Sequence, residues 1–291
     1  MSQKRFYDGL DEDIRGILLS QLKNLWTHSS TALEGNSLTL GETAFVLEEG
    51  LTVSGKPLKD HRTVEGHARA IEIVYGLIDR ERVNEQELFD LHRAVIADVT
   101  MDVMRPVGAW KKESNFTVVI REDTQQQEWR EYPDHVPGLM REWLERFHLS
   151  LLRDLDFNQA LDAYADFHLT FVTIHPFWDG NGRMARLVSN IPVLRSGNPP
   201  AVVPLSKRRE YLESLSSYQA TIGDLTSLRS LGDFPENAQR SAFTALCRSF
   251  VDETLLLLNE ARKRQSERIT RKDHRRMEED GSSEQGLTPG H

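Results

Sequence analysis

The segment at residues 175–186, HPFWDGNGRMAR, brings a histidine, an aspartate, two glycines and two arginines together within twelve positions. The turn over residues 179–182, DGNG, can aim several backbone N–H groups at one point, and its glycines let the backbone approach an anion closely. The residues that follow predict a helix, whose N-terminus carries positive partial charge. This segment therefore predicts a phosphate-binding loop at a helix N-terminus.

The charged side chains of the segment fit the same chemistry. Arg183 and Arg186 are three residues apart, so they share a helix face and can clamp two phosphates. Asp179 would repel a phosphate unless a divalent cation lay between them, and Mg²⁺ is the usual bridge. His175 lies just before the loop and can act as a general base near neutral pH. Each residue type alone is more often structural, but their combination in this order favours nucleotide chemistry.

Two other phosphate-binding patterns are excluded. Residues 180–185 match the GxGxxA dinucleotide fingerprint, which requires a βαβ unit and an acidic residue about 20 positions later. Neither feature accompanies the match, because the downstream segment reads RSGNPPAVVP. The chain also contains no GxxxxGK[ST] loop. We therefore reject a dinucleotide-binding fold.

Composition limits the class of protein. The chain has 291 residues, 38% of them hydrophobic, and a net charge of −9, which argues against a general nucleic-acid or membrane binder. Its single cysteine, Cys247, excludes a disulfide framework and a cysteine-based zinc site. The N-terminus has no apolar signal-peptide core, and no aliphatic run is long enough to cross a bilayer. We expect a cytoplasmic protein.

Hydrophobic periodicity predicts a mainly α-helical fold. The predicted helices cover residues 14–25, 39–50, 60–78, 84–99, 136–147, 158–174 and 236–262. The segment 114–120, SNFTVVI, is rich in β-branched residues and predicts one short hairpin. Residues 265–291 lose all apolar periodicity and predict a disordered tail.

The segment 175–186 matches, at every fixed position, the HPFx(D/E)GNGRxxR signature of the Fic (filamentation induced by cAMP) family of protein adenylyltransferases. The resemblance extends from about Leu51 to Leu228, and RPVGAWKKESNFTVV resembles the target-binding flap of that family. It implies a Fic-fold helical bundle with a small β-hairpin flap. The boundaries that it implies are N-terminal helices at 1–50, a Fic core at 51–230 with its flap at about 107–128, a C-terminal helix at 231–264 and the charged tail at 265–291.

A shorter match lies near the N-terminus. Ser30-Thr-Ala-Leu-Glu34-Gly35 resembles the inhibitory motif (S/T)xxxE(G/N) of the subclass whose inhibitory helix precedes the Fic domain. If residues 27–34 form a short helix capped by Gly35, Glu34 lies at the negative end of the helix dipole. A carboxylate there is unfavourable by about 0.3–1 kcal/mol unless a cation meets it. The resemblance implies that this cation is Arg186.

The resemblance implies transfer of AMP from ATP to a Ser, Thr or Tyr hydroxyl of a target protein, or of the chain itself. His175 is then the base, Asp179 holds Mg²⁺, and Tyr211 lines the adenine site. The residues implied to bind the phosphates of ATP are Gly180, Asn181, Gly182, Arg183 and Arg186. The flap residues implied to bind the target are Ser114, Asn115, Phe116, Thr117, Val118 and Val119.

Alternative functions stay open at this stage. The same fold can remove AMP from modified targets or transfer another nucleotide or phosphate-containing group. A catalytically silent partner-binding protein is a second alternative, which the intact histidine and aspartate disfavour. No helix-turn-helix pattern follows the core, so we expect no nucleic-acid partner. Relatives often dimerise, so a homodimer is also open, whereas the target protein and the signal that relieves inhibition are not identified.

Overall fold

The computed structural model describes residues 4–97, 104–121, 124–130, 133–222 and 228–284. Over these residues the chain is mainly α-helical with one two-stranded antiparallel hairpin, as predicted. The elements are α1 Glu12–Ala32, α2 Leu40–Glu49, α3 Leu58–Leu77, α4 Glu85–Val95, β1 Asn115–Arg121, β2 Thr124–Arg130, α5 Val136–Leu151, α6 Phe157–Ile174, α7 Asn181–Val188, α8 Asn190–Arg195, α9 Arg208–Gln219, α10 Ala238–Cys247 and α11 Asp252–Glu284. No helix in this part of the chain combines the length and apolar character that a bilayer crossing needs.

Local sequence signals account for several helix ends. Thr39 opens α2 with a capping box, and Gly50 ends that helix in a left-handed conformation at φ 66°. Asn84 opens α4 in the same way. In contrast, α3 does not begin at Asp60 as the sequence suggested, because Pro57 precedes its first residue. The Asp60 carboxylate accepts hydrogen bonds from the backbone N–H and hydroxyl of Ser37 instead.

Helix α6 lies at the centre of the core. It packs against α5, α7, α8 and α10, and its aromatic residues Tyr164, Phe167 and Phe171 are buried. Trp143 of α5 stacks on Phe147 and packs edge-on against Phe167 and Phe171. Because α6 is held on several sides, the residue that follows its last turn, His175, is fixed by the core.

The helix after the 175–186 segment is interrupted close to Pro192. Helix α7 ends at Val188 and α8 begins at Asn190. Pro192 has no N–H to donate to the carbonyl of Val188, four residues earlier. The side-chain amide of Asn190 supports the break, because its Nδ2 donates to the carbonyls of Arg186 and Ala201, each at 2.9 Å.

The hairpin pairs β1 with β2 in a register that sets Asn115 opposite Arg130 and Arg121 opposite Thr124. Phe116 is exposed on it. The side chains of three predicted flap residues, Thr117, Val118 and Val119, lie outside the described part of the structure.

The C-terminal region differs from the prediction. Residues 231–264 do not form one helix, because a 3₁₀ turn at Leu231–Asp233, α10 and a second 3₁₀ segment precede α11. Helix α11 then continues to Glu284, so the expected disordered tail is helical over 265–284, and residues 285–291 lie outside the described residues. The physical reason is tertiary: Arg268 donates to Asp11 and Asp13 at the start of α1, at 2.9 and 2.6 Å.

Candidate active site

His175 has an unusual backbone conformation. It follows α6 with φ 53° and ψ 58°, and it is the one non-glycine residue with positive φ in the described ranges. Its N–H donates to the carbonyl of Phe171 at 3.0 Å. For a residue with a Cβ this conformation costs about 1–2 kcal/mol. Such strain clusters at functional sites, and here it turns the chain from α6 into the loop that precedes α7.

The side chain of Asn181 gives this loop its shape. Its Oδ1 accepts from the N–H of Phe177 at 2.9 Å, and its Nδ2 donates to the carbonyl of the same residue at 2.8 Å. The side-chain amide is thus engaged within the loop. The main-chain N–H of Asn181 opens α7, where first-turn N–H groups have no partner within the helix. Asn181 therefore offers a ligand its backbone rather than its side chain.

Asn115, predicted to bind the target, is buried against the same loop. Its Nδ2 donates to the carbonyls of Phe177 and Trp178, each at 3.0 Å, and its Oδ1 accepts from Lys111 Nζ at 2.7 Å. The side chain at the start of β1 thus fastens the hairpin to the loop.

Asp179 and Arg183 lie at the mouth of the loop. The Asp179 side chain is 73% exposed, and its Oδ2 is 3.5 Å from Arg183 Nη2. Its Oδ1 accepts from the N–H of Gly180 at 2.6 Å. Arg183 is buried and donates from Nη1 to the carbonyl of Val95 at 3.0 Å. Helix α4 thereby holds one of the two arginines in place.

The side chains around Asp179 show whether a magnesium ion would fit this site. Across the described ranges, no cluster of three or more His, Cys, Asp or Glu side chains could hold a metal ion on its own. Mg²⁺ usually keeps several waters and takes one or two carboxylates together with substrate phosphates. A single exposed carboxylate, Asp179, beside a helix N-terminus fits that mode of binding.

Arg186 is the most constrained side chain of the site. It is 4% exposed, and its Nη2 lies 2.7 Å from Glu34 Oε1. Its Nε donates to Ser30 Oγ at 3.0 Å, and Nη2 also donates to the carbonyl of Ser30 at 2.9 Å. Nη1 lies 3.4 Å from Tyr211 Oη. All three guanidinium nitrogens are therefore engaged by α1, by the turn after it and by α9.

Glu34 lies directly against the first turn of α7. A Cβ added at Gly182 would be 2.7 Å from Glu34 Oε1 and 3.1 Å from Arg186 Nη1. With a side chain at position 182, the Glu34 carboxylate would have to shift from its present place. The Glu34 carboxylate thus lies in the space beside the helix N-terminus where the sequence predicts a phosphate.

The predicted short helix at 27–34 is wrong in its bounds. Thr27 and Ser30 belong to the last turns of the long helix α1, which ends at Ala32. Glu34 and Gly35 follow in a turn, with Gly35 at φ 93°. The difference arises because α1 packs on α2, α3, α7 and α11 along its length, so that two predicted helices join.

Charge stabilises the ionised forms of the pair. The Glu34 side chain is 44% exposed, and its partial burial opposes ionisation. The guanidinium groups of Arg186 and Arg183 outweigh this effect and lower the pKa of the carboxyl below its ordinary 4.5. Burial likewise opposes the charge on Arg186, and Tyr211 and Glu34 more than offset it, so the pKa of Arg186 is raised. Both partners are charged near neutral pH.

The profile of the Fic/DOC family matches residues 82–192, which include α4, the hairpin and the loop before α7. This stretch is a Fic domain. The chain is 30% identical over 204 residues to the protein adenylyltransferase fic-1 of Caenorhabditis elegans, covering 69% of this chain and 37% of that protein. It is 31% identical over 204 residues to the protein adenylyltransferase Fic of Nematostella vectensis, covering 68% of this chain and 43% of that protein. The chain thus spans less than half the length of these relatives.

Solved structures show the same fold. A Fic domain-containing signaling protein from Bacteroides thetaiotaomicron superposes with a TM-score of 0.72 at 23% identity, over 88% of this chain and 94% of that one. A segment of Fic-1 from C. elegans superposes with a TM-score of 0.64 at 23% identity, over 88% of this chain and 69% of that one. The fold is therefore shared over most of the chain.

Tyr211 lies deeper beside the Fic domain than the sequence suggested. Its side chain is buried, and its Oη is 2.8 Å from Nε2 of His168. Burial raises the pKa of Tyr211 to about 12, and burial lowers the pKa of His168 well below its ordinary value. Both groups are neutral at pH 7. The hydroxyl of Tyr211 thus links His168 of the core to Arg186 of the Fic motif.

The sequence analysis did not single out His92, which contacts the Fic motif from α4. It is buried, and burial lowers its pKa to about 4. It shares the inner face of α4 with Leu88, Leu91 and Val95. A polar residue on an otherwise apolar helix face is the signal that could have identified it.

Proposed function

We propose that this protein transfers AMP from ATP to a hydroxyl group of a protein, and that Glu34 restrains the reaction. The observation that carries the proposal is the position of His175, held by α6 directly before a loop that ends at the N-terminus of α7. The matched relatives are named protein adenylyltransferases, which supports the same chemistry.

The phosphates of ATP would bind at the start of α7. First-turn N–H groups at residues 181–183 suit phosphate oxygens, and Arg183 and Arg186 lie on the same helix. Asp179 would hold Mg²⁺ together with phosphate oxygens and water. A magnesium ion bound there supplies charge neutralisation for the leaving pyrophosphate.

His175 would accept the proton of the attacking hydroxyl. The hydroxyl oxygen forms a bond to the α-phosphorus, and the bond between that phosphorus and pyrophosphate breaks. Transfers of this type depend mainly on positioning and charge stabilisation, so no covalent nucleophile is required. Loss of the base lowers the rate by about 10²–10⁴-fold.

The target would bind along the hairpin. Strand addition recognises backbone through main-chain hydrogen bonds and reads few side chains. The exposed Phe116 on β1 would contribute an apolar contact at this edge. Asn115, by contrast, is committed to the loop before α7 and acts from the inner side of the hairpin.

Inhibition follows from the contact between Glu34 and Arg186. The carboxylate engages Nη2 of Arg186 and lies within van der Waals range of Gly182. An ATP phosphate needs the same guanidinium and the same space, and it carries the same sign of charge as Glu34. The two therefore exclude each other, so the segment 30–35 would act as an inhibitory motif in front of the Fic domain.

The test uses three purified proteins incubated with Mg-ATP: the native chain, Glu34→Gly and Glu34→Gly/His175→Ala. Intact mass spectrometry measures the addition of AMP to the chain or to an offered target. We expect an adduct that is strong in Glu34→Gly, weak in the native chain and absent in the double variant. Equal labelling of the native chain and Glu34→Gly would refute the restraint. Parallel reactions with GTP, CTP and UTP decide whether another nucleotide is transferred.

A further inference from the structure

His92 makes three contacts, two of them with residues of the Fic motif. Its Nδ1 lies 2.9 Å from the N–H nitrogen of Gly108, and its Nε2 lies 3.0 Å from the carbonyl oxygen of Asp179. Its ring stacks on Phe177 with centroids 3.9 Å apart and an interplanar angle of 9°. A buried imidazole thus joins α4, the segment before the hairpin and the loop before α7.

The two partners fix the tautomer of this histidine. The N–H of Gly108 can only donate, so Nδ1 of His92 must be the unprotonated acceptor. The carbonyl of Asp179 can only accept, so the proton must be on Nε2. A neutral imidazole with the proton on Nε2 satisfies both partners, and no other protonation state does.

The contact completes a row of hydrogen bonds along the loop. The carbonyls of residues 177 and 178 accept from Asn115, and that of Pro176 accepts from the N–H of Lys111 at 3.0 Å. With His92 on Asp179, four successive carbonyls are tied to α4 or to the segment that leads into β1. The hydrogen bond from His92 holds Asp179, whose side-chain carboxylate is exposed.

We propose that His92 is a positioning residue that fixes the Asp179 carbonyl and ties the loop before α7 to the base of the hairpin. It acts through the backbone and touches neither substrate. Its role in catalysis rests on the proposed function, because Asp179 is the expected magnesium ligand. Its role in holding the loop does not.

The kinetic test compares His92→Gln with His92→Met in the Glu34→Gly background. Both side chains have similar volume, but glutamine keeps an amide N–H that can donate to the Asp179 carbonyl, whereas methionine has no donor. We expect His92→Met to lower the transfer rate about 10–100-fold, as removal of an outer partner of a metal ligand does, and His92→Gln to lose distinctly less. The KM for ATP should change far less than the rate. Equal rates for the two variants would overturn the proposal.

His61 supplies a matched control for these substitutions. It is also buried and bridges two backbone groups, the N–H of Val53 at 2.8 Å and the carbonyl of Pro57 at 2.9 Å, away from the loop. His61→Gln and His61→Met should leave the transfer rate of Glu34→Gly unchanged and equal. A difference between them as large as that at His92 would mean that the effect is general destabilisation.

The second test does not depend on enzymatic activity. Two-bond ¹H–¹⁵N correlations of the native chain report which imidazole nitrogen carries the proton. His92 should show the Nε2–H tautomer, and His61, whose Nε2 accepts from Val53, should show the opposite one. In His92→Met, which has no nitrogen or oxygen to accept from Gly108, the amide of Gly108 should exchange with solvent faster than in the native chain. An Nδ1–H tautomer at His92, or unchanged exchange at Gly108, would overturn the proposal even if adenylylation itself were not observed.

Discussion

Oε1 of Glu34 lies 2.7 Å from Nη2 of Arg186, across 152 residues of sequence. The contact joins the turn after α1 to the Fic motif on α7. The Glu34 side chain carries a negative charge and also occupies the space beside Gly182. Substitutions of Glu34 can therefore separate the effects of charge and volume on ATP binding.

Replacing Glu34 with glutamine removes the charge and keeps the volume beside Gly182. We expect Glu34→Gln to bind ATP more tightly than the native chain but more weakly than Glu34→Gly, since repulsion is lost while the obstruction remains. Isothermal titration with Mg-ATP measures the three affinities. Glu213→Gln is the matched control, because Glu213 contacts Arg209 at the same 2.7 Å with similar carboxylate exposure, but within the single helix α9. Affinity equal to the native value in Glu34→Gln would show that charge contributes nothing.

The proposed restraint of the reaction by Glu34 should not depend on pH in the neutral range. The pKa of Glu34 is lowered below 4.5, so its contribution to the folded contact is present above that value and is lost only as pH falls through the lowered pKa. The ratio of the Glu34→Gly rate to the native rate should therefore stay constant between about pH 6 and about pH 8. Measuring both rates across this range tests it. A ratio that falls steadily toward unity on acidification would contradict the assignment.

Removing the hydroxyl of Tyr211 should destabilise the fold. Tyr211→Phe leaves Nε2 of His168 without its partner in the core, which costs about 1–3 kcal/mol of unfolding free energy. Urea denaturation followed by circular dichroism measures the change. Tyr218→Phe is the comparison, because the hydroxyl of Tyr218 is less enclosed and makes a longer bond, 3.3 Å, to the carbonyl of Pro235. The loss of unfolding free energy in Tyr218→Phe should be smaller than in Tyr211→Phe. A larger loss in Tyr218→Phe would disprove the link through His168.

Two glycine substitutions should have opposite effects. Gly180 has φ 79°, and a Cβ there would lie 2.7 Å from Cδ1 of Ile96, so Gly180→Ala should destabilise the protein by at least about 1–2 kcal/mol. Gly16 lies on the exposed face of α1 with nothing within 4 Å, so Gly16→Ala should stabilise it by about 0.5–1 kcal/mol. Thermal denaturation of the two variants shows whether each substitution lowers or raises the stability of the protein. A stable Gly180→Ala protein would mean that the loop can adopt another backbone path.

Several parts of the fold and site are visible in the sequence because they are local. The capping boxes at Thr39 and Asn84, strand β1 of the hairpin and the break before Pro192 each depend on a few neighbouring residues. The loop that carries His175 and Asp179 is contiguous, so its chemistry can be inferred from residue type and spacing alone. The resemblance of residues 30–35 to an inhibitory motif implied the contact with Arg186, which was favoured over a simply exposed Glu34.

Tertiary packing decided the rest. The length of α1, the helical continuation of α11 beyond residue 264 and the inward direction of Asn115 depend on partners far away in sequence. The tautomer of His92 is the clearest case, since its acceptor and donor roles are set by Gly108 and by Asp179, 87 residues away. The sequence determined which groups are available for chemistry, because residue type and local spacing are written in it. The packing of α1, α4 and α7 determined which groups meet, because hydrogen bonds and ion pairs form only where the folded chain brings donor and acceptor within about 3 Å.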